Sequence, residues 1–326
     1  MNEWPAPDPH ALQYAERDAA CYGIQTILVV VDPTRREHPC IEKAARIAAG
    51  FGCTIELFVC EAEQDIPESW AGGATTAQYR GVMRERRIAG LEELAGPVRA
   101  RGVSATTASE WHPALEEAVA RHAIQMKADL VVKDAQRRAP MAPMPLLSDG
   151  ILIREVAAPL LLVRPEPWPA RPRVTISVDP SRVADRPLAL DAAMVAMGCS
   201  IGRALAADVE ILHALQSPPH LAGETVPDSA KEEVQARDRA MIEHLARSHH
   251  VSAAAVRYIE RRVPEGILDL IATEKPDILV MGAVARPRFI QSTASGTAAQ
   301  ILEHVSCDML IVKPRGVVSP ILVTDA

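Results

Sequence analysis

Between Met281 and Gln300 the chain reads MGAVARPRFIQSTASGTAAQ, where glycines flank a hydroxyl-rich, basic segment that runs into a predicted helix. These residue types suit an anion, and phosphate above all. Glycines at 282 and 296 allow positive φ and let main-chain N–H groups come close to phosphate oxygens. Arg286 and Arg288 supply positive charge, and Ser292, Thr293, Ser295 and Thr297 supply hydroxyl donors. The helix that follows would turn the positive end of its dipole toward the same point. A second reading stays open, in which Ser295 or Thr297 caps that helix and the connection is merely solvated.

Other chemistries find no anchor. There is no Gly-x-Ser-x-Gly elbow, no His-Glu-x-x-His, no Walker A sequence and no cysteine with an evident histidine partner. No catalytic residue and no metal ligand are nominated, and His213 and His304 are read as structural. The net charge of -7, with Arg35-Arg36, Arg137-Arg138 and Arg261-Arg262 scattered rather than pooled, argues against nucleic acid as a partner. Six cysteines without a Cys-x-x-Cys pair form neither a disulfide framework nor a zinc pattern, which points to a reducing, cytoplasmic setting. No export signal and no apolar run of about 18 residues occur, so no membrane insertion is expected.

The elements that must position the loop come in two copies. ILVVVDPTRREHPCIEKAARIA returns as VTISVDPSRVADRPLALDAAMVA, which sets Asp32 against Asp179 at an offset of 147. Within a residue or two the same offset pairs KADLVVKD with KPDILVMG, and REVAAPLLLVRP with EHVSCDMLIVKP. The proline-rich stretch from Arg164 to Arg173 separates the copies and suits a stiff, extended linker. The boundaries expected are an extension over 1–22, a first domain over 23–167, a linker over 168–172, a second domain over 173–316 and a tail over 317–326. In each copy short apolar runs alternate with helical periods, which predicts two tandem Rossmann-like open α/β sandwiches with five-stranded parallel sheets flanked by helices. For the second copy, strands are predicted at RVTISVD, ADVEILHAL, VSAAAVRYIE, DILVMG and DMLIVKP, and helices around 186–204, 228–248, 264–274 and 296–305. Ligands of such sheets lie beyond the carboxyl ends of the strands where strand order reverses. Asp179 and Gly282 emerge there.

VDPS after the first strand, DILVMGAVARPRFIQSTASGTAAQILEHVSCDMLIVKP at the end and the two-copy layout resemble the universal stress protein family, in its tandem type, from about Tyr22 to Pro314. The resemblance implies a stress-response role and, in nucleotide-binding members, a fourth strand followed by glycine, two residues, glycine, nine residues, then glycine with serine or threonine. Gly282 fits the first glycine, Ala285 stands at the second, and ten residues rather than nine precede Gly296-Thr297; a shift of one would make Ser295-Gly296 the terminal pair. A left-handed alanine costs about 1–2 kcal/mol, so position 285 weakens a site more readily than it abolishes one. Micromolar binding needs about 8 kcal/mol, and a helix terminus gives about 0.3–2 kcal/mol per charge, so the arginines and hydroxyls must converge as well. The resemblance also implies contacts of Asp179 near adenine and ribose, with Val178 bordering the base. The residues alone leave another role for Asp179, an Asp-Pro turn that bonds its own backbone, because Asp32 keeps that place in the first copy.

The first copy has KDAQRRAPMAPMPLLSDG where the second has its glycine loop, with Asp134 at the place of Gly282. A carboxylate at that mouth repels phosphate, and Pro140, Pro143 and Pro145 remove backbone donors. No nucleotide is expected there. Met141, Met144, Leu146 and Leu147 make an adaptable apolar segment that packs on the sheet edge, or faces a ligand or the other half. Trp111-His112-Pro113 reads as a helix start, its proline in the first turn, and the tail after Arg315 is expected to pack within the chain. The expectation is therefore a small-molecule ligand, ATP with magnesium or another adenine nucleotide, in the second domain, without efficient catalysis although slow ATPase activity stays open. The two domains would pack as an intrachain pseudo-dimer, with a homodimer as the further assembly to test. The alternative is a scaffold, or a carrier of an apolar, acyl-like ligand.

Overall fold

The computed structural model describes residues 22–61, 73–136, 148–179, 189–215, 228–260, 263–283, 297–302 and 304–314. The first half runs β1 (Thr26–Val30), α1 (Pro39–Phe51), β2 (Thr54–Glu61), α2 (Gly73–Ala100), β3 (Ala105–Trp111), α3 (Leu115–Gln125), β4 (Leu130–Asp134), α4 (Ser148–Glu155) and β5 (Leu160–Val163). The second runs β6 (Arg173–Val178), α5 (Ala189–Ala204), β7 (Asp208–Ala214), α6 (Asp228–Ser248), β8 (Val256–Ile259), α7 (Glu265–Glu274), β9 (Ile278–Gly282), α8 (Thr297–Leu302) and β10 (Asp308–Val312). The expected alternation of strand and helix is present in both. One predicted strand is shorter than its sequence suggests: Ala253–Ala255 forms a 3-10 turn, because the Ser252 side chain accepts the Ala254 N–H and closes the backbone before it can extend.

Strand order is β3-β2-β1-β4-β5-β10-β9-β6-β7-β8. Each half is a five-stranded parallel sheet, and the two are not separate: β5 and β10 pair antiparallel, Leu161 opposite Leu310, so the halves share one sheet about a pseudo-twofold. The cause is legible in the strands. LLLV, and MLIV after the leading Asp308 of the partner strand, are apolar, and both strands are wholly buried, so neither can stand as a solvent-facing edge. Helices of both halves cover each face together. On one face α1, α2, α5 and α6 share a core containing Ile47, Leu91, Met194 and Ile242; on the other α3, α4, α7 and α8 share one containing Val119, Leu152, Ile267 and Ile301. Where α1 meets α5, Gly50 lies so close to the end of the partner helix that a Cβ would sit 2.2 Å from the Ala204 carbonyl oxygen.

The segment between the halves is anchored rather than a free spacer. Trp168 is buried, and Arg46 of α1 donates to the Trp168, Pro169 and Ala170 carbonyls at 3.1, 3.0 and 3.4 Å. Beneath the indole lies a buried ion pair that joins the halves. Lys43 Nζ of α1 is 2.8 Å from Asp308 Oδ2 at the start of β10, and Asp308 also accepts the Arg164 N–H at 2.6 Å and the Trp168 Nε1–H at 2.7 Å. Two further cations cross the pseudo-twofold. Arg164 donates to the Leu302 carbonyl at the end of α8, and buried Lys313 donates to the Arg154 and Val156 carbonyls at the end of α4. Each satisfies carbonyls that a helix terminus leaves open.

Candidate functional site

In each half the central pair of strands, β1 with β4 and β6 with β9, is where strand order reverses, and the place beyond their carboxyl ends, where sheets of this kind hold ligands, is the mouth of that half. In the second half the β6 and β9 register, Ile176 opposite Val280, carries Val178 and Gly282 to the same sheet edge. Gly282 is the last residue of β9, and the Ala283 N–H still bonds the Val312 carbonyl at 2.9 Å. Val178 is buried beneath Asp179, whose N–H donates to Asp191 Oδ1 of α5 at 2.9 Å. These three of the sequence-predicted residues come together. Ala285, Arg286, Arg288, Ser292, Thr293, Ser295 and Gly296 lie outside the described residues, and Thr297 is described only as the first residue of α8.

His213 at the end of β7 is a member of this mouth that sequence reading treats as a satisfied structural residue. Its ring is completely buried. Nδ1 lies 3.0 Å from the Val178 carbonyl, Nε2 lies 3.7 Å from Asp238 Oδ2 of α6, and Tyr258 of β8 meets the ring edge-on at 6.4 Å. Nε2 has no partner within hydrogen-bond distance among the described residues. Burial alone would lower the imidazole pKa; the Asp238 carboxylate, the Val178 carbonyl and the charge of Asp179 together outweigh it and raise the pKa above 6.5.

The first-half mouth is filled from within. Asp134, at the place of Gly282, does not face solvent as its sequence position suggests: it is buried, accepting the Cys40 N–H at 2.9 Å and the Cys40 thiol at 3.3 Å. Cys40 is the second residue of α1, so the carboxylate occupies the helix N-terminus that would otherwise receive an anion. Burial first, then the Asp134 charge, pushes the Cys40 thiol up. Beside it Lys133 Nζ pairs with Asp149 Oδ1 of α4 at 2.9 Å, and Asp149 Oδ2 accepts the Gln136 N–H at 2.7 Å. Two charges ending an otherwise apolar strand, LVVKD, were the available sign of this plug.

Asp32 forms the turn that its sequence predicts. Its Oδ1 accepts the Thr34 N–H at 3.0 Å and the Thr34 hydroxyl at 2.6 Å, and Arg35 lies 3.5 Å from Oδ2. His112 Nδ1 lies 2.8 Å from the Ala114 carbonyl oxygen and 3.1 Å from the Ala114 nitrogen, holding the chain where it enters α3, and Pro113 precedes the cap residue Ala114 instead of opening the first turn. An open cleft of about 520 Å³ lies between this mouth and the second half, with Arg35, Arg36, Glu37, Asp134, Arg164 and Glu166 among its walls. The apolar segment around Met141 to Leu147 and the tail beyond Arg315 lie outside the described residues.

The profile of the Universal stress protein family matches residues 23–164 and again 172–313. "Universal stress protein E" of Salmonella typhi is 24% identical over 318 residues, covering 92% of this chain and 98% of the relative. Among solved structures, a Pseudomonas aeruginosa PAO1 protein of unknown function is similar with a TM-score of 0.68 at 21% identity, covering 95% of this chain and 97% of that one. A universal stress protein from Archaeoglobus fulgidus DSM 4304 has a TM-score of 0.61 at 15% identity, covering 90% and 98%. At these identities the structures speak to the fold.

Proposed function

This chain belongs to the universal stress protein family, and we propose that its second half binds ATP, with magnesium, or another adenine nucleotide, without efficient turnover. Membership supports a role in the stress response, and two such domains fit an intrachain pseudo-dimer. The observation that carries the ligand reading is the contrast between the mouths. Where the first half places Asp134 on the N-terminus of α1, the second ends its strand in Gly282, a residue without a side chain to fill that space. The first half then serves as a permanently filled copy. We take 23–167 and 173–316 as the domains, with Asp179, Val178, Gly282, Ala285, Arg286, Arg288, Ser295, Gly296 and Thr297 as the ligand contacts. We take the setting as cytoplasmic; the five cysteines among the described residues are free, and no described helix is long and apolar enough to cross a membrane.

The cleft between the halves does not favour an acyl carrier, since six ionisable side chains line it and an apolar chain would have to desolvate them. Calorimetric titration of the full chain with ATP and magnesium, beside Gly282→Val, tests the proposal. One site per chain, lost in the variant, is expected. No heat at about millimolar ATP, a bound-state energy of roughly 4 kcal/mol, would make the Met281–Gln300 loop a relic and turn attention to partner proteins. Phosphate release no faster than in Gly282→Val would dismiss slow ATPase activity.

A further inference from the structure

The His213 ring faces an oxygen on each edge, one at hydrogen-bond distance and one at ion-pair distance. On one side stands the Val178 carbonyl, 3.0 Å from Nδ1, and on the other the Asp238 carboxylate, 3.7 Å from Nε2. Neutral imidazole has a single N–H. With that proton on Nδ1, the bare lone pair of Nε2 faces a carboxylate; with it on Nε2, the bare Nδ1 faces a carbonyl. Only the doubly protonated ring presents a donor to each. The charges around it favour that form as well. Asp238 comes from α6, and Asp179, its N–H held by Asp191 of α5, follows β6, while Tyr258 of β8 turns its ring edge-on and Arg239 of α6 is stacked over that tyrosine ring at 4.6 Å.

The first half lacks this device. His213 pairs with Val178 in the sheet, and the matching position beyond the Val30–Phe58 pair of β1 and β2 is Val59, buried and apolar. In the half plugged by Asp134 this strand position is apolar and the imidazole of that mouth, His38, stands instead at the N-cap of α1 within the field of Asp134, whereas the half that ends in Gly282 carries its imidazole in the strand.

We infer that His213 is the positioning residue of the second-half mouth: as an imidazolium it ties the Val178 carbonyl to the Asp238 carboxylate and so fixes the strand end that presents Asp179. The ligand part of this role rests on the nucleotide reading above. The end that His213 holds is the one where that reading puts the ribose and base. Loss of the imidazolium would release the Val178 end and the Asp179 that follows it, so affinity follows the ring's titration.

Side-chain nitrogen NMR of histidine-labelled full-length protein, with hydrogen exchange at the Asp179 amide, tests this. Both ring nitrogens of His213 are expected to carry protons at about pH 6.5, the ordinary midpoint. Asp179 protection is expected to fall at the higher pH where the second proton leaves. Asp238→Asn, which keeps the shape of the residue, should lower that pH by about one unit and move the Asp179 step with it. Where ATP binds, its affinity should fall by about tenfold across the same step. An unprotonated Nε2 at pH below the ordinary midpoint, or Asp179 protection that is flat through the ring titration, overturns the inference. If ATP binds at no pH, the nucleotide reading falls, and the ring and the Asp179 amide still decide the role of His213.

Discussion

Lys43→Met is expected to destabilise the protein by about 3–5 kcal/mol, because it strands a buried carboxylate. Lys43 and Asp308 side chains are 4% and 1% exposed and 2.8 Å apart, with the Trp168 ring lying 5.1 Å from the ammonium as a lid. Without the lysine, Asp308 keeps the Arg164 N–H and the indole N–H, both neutral. Unfolding entropy of about 2.1 cal/mol/K per residue turns that cost into a fall in melting temperature of roughly 4–7 °C for a chain of this length. Asp308→Leu should cost as much, since Lys43 is left with the Arg164 carbonyl at 2.9 Å alone. The double variant Lys43→Met with Asp308→Leu should recover most of the loss, having removed both charges. Acidity separates the two single variants. Burial pushes the Asp308 carboxyl up from 3.8 to about 6, against the pull of Lys43. A native value above the unfolded one means the folded chain takes up a proton that the unfolded chain does not. The group therefore favours folding most below its unfolded value, and the benefit is lost as pH rises through about 6. Removing Lys43 raises the carboxyl further, and a proton then stands in for the ammonium. The Lys43→Met penalty should thus shrink toward acid and be complete well above the native value, whereas the Asp308→Leu penalty should be largest in acid and shrink as pH rises through about 6, because that variant has no carboxyl to take up the proton. Differential scanning calorimetry across that range reads both. A Lys43→Met melting point within about 1 °C of the parent at alkaline pH, less than a kcal/mol, would refute the reasoning, as would a double variant that costs the sum of the singles.

Gly50→Ala should cost about 1–3 kcal/mol by forcing α1 away from α5, given the 2.2 Å approach to the Ala204 carbonyl oxygen. Gly90→Ala, on an exposed turn of α2 with nothing within 4 Å of the new methyl, should instead stabilise by about 0.5–1 kcal/mol; urea midpoints for the pair decide, and equal signs would contradict the packing described. Asp134→Ala should cost about 1–2 kcal/mol as a lost helix cap and free the Cys40 N–H, and its thiol should ionise at lower pH because the adjacent carboxylate that helps to hold it up is gone. Ultraviolet titration of Cys40 in a protein lacking its other cysteines would follow it.

Much of the architecture was legible because it depends on periodicity, which is local. Asp32 against Asp179, and the apolar runs LVVKD and DILVMG, carried the duplication, the parallel order of strands and the position of the mouths. What could not be read from the chain depends on contacts between distant residues. Pairing of β5 with β10 follows from two wholly buried strands meeting, but nothing in either says which strand it meets. Asp308 and Lys43 are 265 positions apart, and only the packing of α1 over the junction makes a pair of them. His213 was visible as a strand residue, whereas its two acceptors come from β6 and α6. For Asp134, residue type suggested a carboxylate open to the mouth, whereas the side chain is buried on the N-terminus of α1, a contact 94 positions distant in sequence.

The departures from symmetry have a common cause in the duplication itself. In a dimer of identical chains a charged residue at the mouth arises twice, so a change like Gly to Asp at this position would plug both sites at once. Within one chain the halves vary independently. Asp134 with Cys40, and Lys133 with Asp149, stabilise one half at the expense of its mouth, while Gly282 and His213 persist in the other. The junction shows the same division of roles. Arg164 and Lys313 still cap the opposite half's helix in near-symmetric fashion, but the ion pair is one-sided, because the counterpart of Asp308 in the repeat is Pro159, which has no charge to offer. A single latch suffices when linker and sheet already hold the halves together, and Trp168 of that linker is the group that closes over it.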